Sequence, residues 1–137
     1  MKWVRERVPM VIKVFPAGDL RVSRAGDFGA DVIMLDAPNP GSGQVFDWEL
    51  AGDLPEGQRL LVAGGLDADN VGTAIARMKP WGVDAVSGVE AAPGLKDPMK
   101  VKAFVEAARR AEAALEEAKG EPSESALGDP YNWAEDE

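Results

Sequence analysis

Apolar residues gather into four short runs along the chain, at residues 10–15, 31–36, 59–63 and 83–87. Each run is nearly continuous rather than alternating, as expected of parallel strands buried on both faces. Helical sequence follows each run. The stretch 19–28 predicts a short helix after the first strand, and 46–52 supplies one or two turns after the second. Asp67 stands as a cap before Val71, Ala74, Ile75 and Met78, which recur at helical spacing until Lys79-Pro80-Trp81-Gly82 interrupts the pattern. Asp97-Pro98 pairs a capping residue with proline at the first helical position. Beyond it Val101, Phe104, Val105, Ala108, Ala111 and Leu115 form one apolar stripe ending near Lys119. The order is β-α four times, the spacing of right-handed crossovers in a parallel α/β sheet.

Two architectures accommodate that order, an open doubly wound sheet and part of a closed barrel. The first strand ends in Phe15-Pro16-Ala17-Gly18, without the glycine fingerprint of a dinucleotide-binding fold. Gly41-Ser42-Gly43 follows the second strand but lacks a third glycine. Glycine-rich turns after strands two, three and four favour a barrel.

Composition narrows the chemistry. The 137 residues contain no cysteine and no histidine, which removes disulfides, thiolate catalysis and the commonest metal ligand and proton shuttle. The net charge is −9, yet residues 120–137 alone hold six acids and no base, leaving 18 acids against 15 bases elsewhere. Residues 120–137 are expected to form a solvated, disordered acidic tail after a folded unit at 1–119. Clustered Lys and Arg are missing, so no nucleic-acid partner is expected. No apolar run approaches the ~20 residues of a membrane span, and residues 1–7 lack a secretory signal, so a cytoplasmic protein is expected.

The chemistry-bearing positions lie where strands end. Strand three runs into Ala63-Gly64-Gly65-Leu66-Asp67, where glycine lets backbone N–H groups approach an anion beside a helix N-terminus. Strand four ends in Ser87-Gly88-Val89-Glu90. Each loop alone is better read as a tight turn that needs glycine; adjacent in a barrel, the two together favour a phosphate site. Asp36, at the end of strand two, is a candidate acid, base or ligand, or else a loop brace. Asp84, inside strand four, needs a partner there, and Lys13 in strand one is a candidate for that role or for an anionic ligand. Both also suit the packed interior of a barrel.

These stretches resemble the phosphoribosylanthranilate isomerase family. Val11-Ile12-Lys13-Val14-Phe15 is similar to its fifth strand, and Val32-Ile33-Met34-Leu35-Asp36 with Gly41-Ser42-Gly43-Gln44-Val45-Phe46-Asp47-Trp48 to its sixth strand and loop. Ala63 through Val71 resembles the seventh unit. Val83 through Glu90, with Gly94-Leu95-Lys96-Asp97, resembles the eighth. Pro40 and Val86 depart from the family pattern, each replacing a residue of a loop. The resemblance implies a (β/α)8 TIM-barrel type of which four βα units are present, a half barrel whose opening residues 1–8 close the helix after strand four.

The activity so implied is an Amadori rearrangement in tryptophan biosynthesis, acting on a phosphoribosylated substrate with no metal or organic cofactor. Asp36 takes the place of the general acid, which must hold a proton near neutral pH. Gly64, Gly65, Ser87 and Gly88 hold the substrate phosphate, with Asp84 and Lys13 as further substrate contacts. The family's cysteine base and an arginine for the anthranilate carboxylate belong to strands this chain lacks. The expected partner is therefore a complementing N-terminal half or a second copy. Indole-glycerol-phosphate synthase, another phosphate-binding barrel, would want lysines and glutamates at strand ends that are not in place. A half barrel that binds phosphate without catalysis is the remaining alternative.

Overall fold

The computed structural model describes residues 2–36, 54 and 56–120. A short helix α1 (Lys2–Arg5) leads into strand β1 (Ile12–Pro16) and a 3-10 segment (Leu20–Phe28). Strands β2 (Val32–Asp36) and β3 (Arg59–Val62) follow, then helix α2 (Val71–Met78) and strand β4 (Gly82–Val83). A 3-10 turn (Ser87–Val89), a hairpin of β5 (Glu90–Ala92) and β6 (Leu95–Lys96), and helix α3 (Pro98–Lys119) complete the described chain. The predicted turns at 46–52, the Gly41-Ser42-Gly43 loop and the tail beyond Gly120 lie outside the described residues.

Strands β1 to β4 form one parallel sheet in sequence order. Register and pleat assign its faces. Lys13 and Phe15, Ile33 and Leu35, and Leu60 and Val62 line up on one side. Of these all but Lys13 belong to the apolar core, which also takes Val22 and Ala25 from the 3-10 segment, Val71, Ala74 and Ile75 from α2, and Phe104 and Ala107 from α3. Phe15 and Phe28 meet edge to face with ring centroids 5.5 Å apart. Each fully buried side chain of this kind contributes about 1.5–3 kcal/mol relative to exposure.

The opposite face departs from the expectation of strands buried on both sides. Ile12 and Val14 keep 45% and 47% of their surface exposed, and Met34 and Leu61 are half-buried. The cause is that the 3-10 segment, α2 and α3 all pack on the other side of the sheet.

Strand four also differs from the run predicted at 83–87. Pairing with β3 covers Gly82 and Val83, and the Asp84 N–H adds one more bond to the Val62 carbonyl at 2.9 Å. There the partner strand ends and turns through Gly64 and Gly65, both at positive φ (91° and 66°), so no ladder remains to extend. Asp84 is therefore exposed beyond the strand rather than enclosed in it. Helix α3 follows the predicted limits, with the Asp97 carboxylate accepting the N–H groups of Met99 and Lys100 and Gly120 closing the C-terminus. Phe104, Ala108, Ala111 and Leu115 of the predicted stripe pack on the core together with Ala107, whereas Val101 and Val105 at its edge are exposed.

Candidate active site at the strand ends

The C-terminal ends of β2, β3 and β4 surround a depression of about 340 Å³ lined by Met34, Asp36, Ala63, Gly64, Gly65, Asp84, Val86 and Ser87. Five positions singled out from the sequence thus meet in one place, although 48 residues separate Asp36 from Asp84. The reason is topological: adjacent parallel strands all deliver their C-terminal loops to the same edge. Asp36 and Asp84 fall on the face opposite the helices, Asp36 by its pairing with Pro16 and Asp84 by following Val83. Asp36 is half-buried, and among the described residues the lining contains two carboxylates and no cationic side chain.

Lys13 is not among these residues. It shares the helix-covered face with Phe15, and its ammonium lies 5.3 Å and 5.7 Å from the ring centroids of Phe15 and Phe28. The aliphatic stem packs along aromatic surface and the charge is held over the ring faces. The predicted pairing with Asp84 does not occur.

The two glycine loops are built differently. In the β3 loop, the positive φ of Gly64 and Gly65 reverses the chain where a side-chain-bearing residue would be strained. In the β4 loop, Gly88 permits close approach to the neighbouring loop, since a Cβ there would stand 1.9 Å from the Leu66 carbonyl oxygen. Among the described residues, the backbone N–H groups of Gly64, Gly65, Ser87 and Gly88 engage no acceptor. Unsatisfied donors of this kind at strand ends are suited to an anion.

Neighbouring contacts brace the rim. Asp67 caps the turn that leads into α2, as expected: its Oδ1 accepts the N–H groups of Asp69 (2.8 Å) and Asn70 (3.0 Å), and its carbonyl accepts the Val71 N–H at 3.1 Å. Lys96 donates to the Val86 carbonyl at 2.9 Å and to Glu90 at 3.0 Å, tying the β4 loop to the hairpin. The Glu90 carboxyl is held below its ordinary range by that bond to Lys96 and by the Gly94 N–H. Neither Asn70 nor Lys96 was picked out by sequence reasoning, but Pro93-Gly94 marks the turn that brings Lys96 back. A larger groove, about 420 Å³, lies at the other end of the sheet between the C-terminus of α2, Trp81 and α3, away from these loops.

Comparison with known proteins adds a second line of observation. A family model described as N-(5'phosphoribosyl)anthranilate (PRA) isomerase matches residues 1–107. The N-(5'-phosphoribosyl)anthranilate isomerase of Deinococcus radiodurans is 50% identical over 95 residues, covering 69% of this chain and 45% of the relative. That of Chlorobaculum tepidum is 42% identical over 118 residues, covering 77% and 53%. Among solved structures, TrpF from Jonesia denitrificans superposes with a TM-score of 0.64 at 45% identity, over 80% of this chain and 54% of that one. A phosphoribosyl anthranilate isomerase in complex with reduced 1-(o-carboxyphenylamino)-1-deoxyribulose 5-phosphate gives a TM-score of 0.61 at 33% identity, over 80% and 53%. The chain spans about half the length of the curated relatives it matches.

Proposed function

This chain belongs to the N-(5'-phosphoribosyl)anthranilate isomerase family, and we propose that it supplies the acid and the phosphate site of that isomerase as one half of a TIM barrel. In this reading β1 to β4 are the last four strands of eight. The complementing strands cover the face on which Ile12 and Val14 are exposed. They also bring the cysteine base and the arginine that this chain does not contain.

The chemistry would run as an Amadori rearrangement. Asp36, as general acid, protonates the ribose ring oxygen, and the ring opens to a Schiff base. The base from the other half removes the C2 proton, and the enolamine tautomerises to the 1-amino-ketose. The substrate phosphate is held by the N–H groups of the Gly64–Gly65 and Ser87–Gly88 loops, so remote binding energy places the reacting carbon beside Asp36. Asp84, across the depression from Asp36, is a further substrate contact, whereas Lys13 has no part in the site. No cofactor enters these steps.

The single observation carrying the phosphate reading is that Gly64, Gly65 and Ser87, whose N–H groups have no acceptor among the described residues, line one depression with Asp36, while Gly88 lies just behind it. Inorganic phosphate added to labelled protein should move the amide resonances of residues 64–66 and 87–89. Shifts clustered elsewhere would remove the site. The absence of cysteine favours one second reading, a half barrel that binds phosphate without catalysis.

A further inference from the structure

Asn70 immediately precedes α2, already at helical φ and ψ of −110° and −17°, and its side chain makes no bond to the first turn. The cap is Asp67, and Asn70 is the partner that reaches back to it, as in a capping box. Both polar ends of Asn70 are turned towards the preceding loop. The Asn70 Oδ1 accepts the Asp67 N–H at 2.9 Å, and the Asn70 Nδ2 donates to the Gly65 carbonyl at 2.9 Å. The return bond from the Asn70 N–H to Asp67 Oδ1 closes the turn.

We propose that Asn70 is a positioning residue that fixes the peptide plane between Gly65 and Leu66, and so holds the β3 loop whose Gly64 and Gly65 line the depression. The inference rests on the phosphate reading of that loop. Gly64 and Gly65 both sit at positive φ, and glycine populates either hand of φ at little cost. A loop with two successive glycines can therefore rotate the peptide units between them. In a trans peptide the carbonyl and the following N–H point in opposite directions. Holding the Gly65 oxygen on Asn70 consequently aims the Leu66 N–H away from Asn70. That N–H has no acceptor among the described residues, and the Leu66 side chain is anchored in the core at 1% exposure. Gly88 packs against the Leu66 carbonyl, which belongs to the next peptide, and Asn70 Oδ1 holds the Asp67 N–H of that same peptide. A preset loop has less conformational freedom to lose when an anion binds.

The test is a titration of the full chain with inorganic phosphate, followed at the amides of residues 64–66 and 87–89, in wild type, Asn70→Ala and Asn70→Ser. Serine is too short to bridge to the Gly65 carbonyl, while in either variant Asp67 keeps capping the turn through the backbone N–H groups of residues 69 and 70. The expected result is phosphate affinity lowered about three- to ten-fold in both variants, the range of one or two lost hydrogen bonds. Melting of Asn70→Ser should match wild type, and hydrogen exchange at Leu66 should be faster in both variants. Wild-type affinity in Asn70→Ser overturns the inference alone, as does a loss that merely follows a loss of folded protein. Failure of wild type itself to bind phosphate at these amides overturns the phosphate reading and the inference with it.

Discussion

The Gly88 backbone presses on the Leu66 carbonyl so closely that a methyl group at Gly88 would stand 1.9 Å from that oxygen and 2.8 Å from the carbonyl carbon. Backbone, not a flexible side-chain tip, blocks the space, so neither loop can yield locally. Gly88→Ala should separate the β3 and β4 loops and cost about 1–3 kcal/mol, as overpacking does. Thermal melting reads the loss, and phosphate titration should show binding abolished or strongly weakened. An alanine variant with wild-type melting and affinity would mean that the loops do not meet in solution.

Asp36 is assigned the acid role from its place at the C-terminal end of β2 and on the lining of the depression. In an assembled barrel containing the complementing half, Asp36→Asn should lower kcat by about 10²–10⁴-fold, the usual contribution of general acid–base catalysis. Phosphate affinity should stay within about two-fold, because the phosphate donors are backbone groups of other loops. Steady-state kinetics on the variant, with kcat near wild type, would remove Asp36 from the mechanism.

Asp19, at the start of the 3-10 segment, has its carboxyl lowered to about 2, first by the side-chain bonds from Arg21 and then by the Arg21 N–H. A depressed carboxylate contributes stability that is complete above its unfolded pKa and is lost as pH falls through the folded value. That contribution should therefore fade between about pH 4, the ordinary aspartate value, and pH 2. An NMR titration of the Asp19 carboxyl should give a midpoint near 2 in wild type and a higher one in Arg21→Gln. Equal midpoints in the two proteins would show that the Asp19–Arg21 bonds do not form.

Much of this arrangement was legible along the chain. Asp97-Pro98 announces α3 because capping and a fixed proline φ are local properties. The continuous apolar runs announce parallel strands for a similarly local reason. The four site positions Asp36, Gly64, Gly65 and Ser87 could be placed together because parallel strands send their C-terminal loops to one edge. What escaped the sequence depended on neighbours. The length of β4 was overestimated because a strand ends where its partner does, and β3 stops at Val62. Lys13 was open between a site contact and a packing role, and the pleat decides its face, since one residue separates it from Phe15 and both lie on the helix-covered side. Asn70 carries no distinguishing mark in the sequence, because its role depends on the Gly65 carbonyl that the folded loop brings within reach.

The sheet face away from the helices carries Ile12 and Val14, each nearly half exposed, and β1 and β4 stand at its edges. Apolar surface of this kind beside unpaired strand edges favours association. The 137-residue chain alone should therefore sediment as dimers or larger species. Val14→Lys should shift it towards monomer with little change in far-UV circular dichroism, since an exposed position tolerates the charge. A wild-type chain that sediments as a single monomer across concentrations would count against an open face.

The most direct test of the half-barrel isomerase is turnover of N-(5'-phosphoribosyl)anthranilate by this chain, measured alone and after mixing with the N-terminal half of the Deinococcus radiodurans relative. The prediction is no turnover from the chain alone, and turnover in the mixture that saturates as the second half is titrated in and disappears with Asp36→Asn. Turnover by the purified 137-residue chain unaided would contradict the account, because the base would then have to lie on a chain that contains neither cysteine nor histidine.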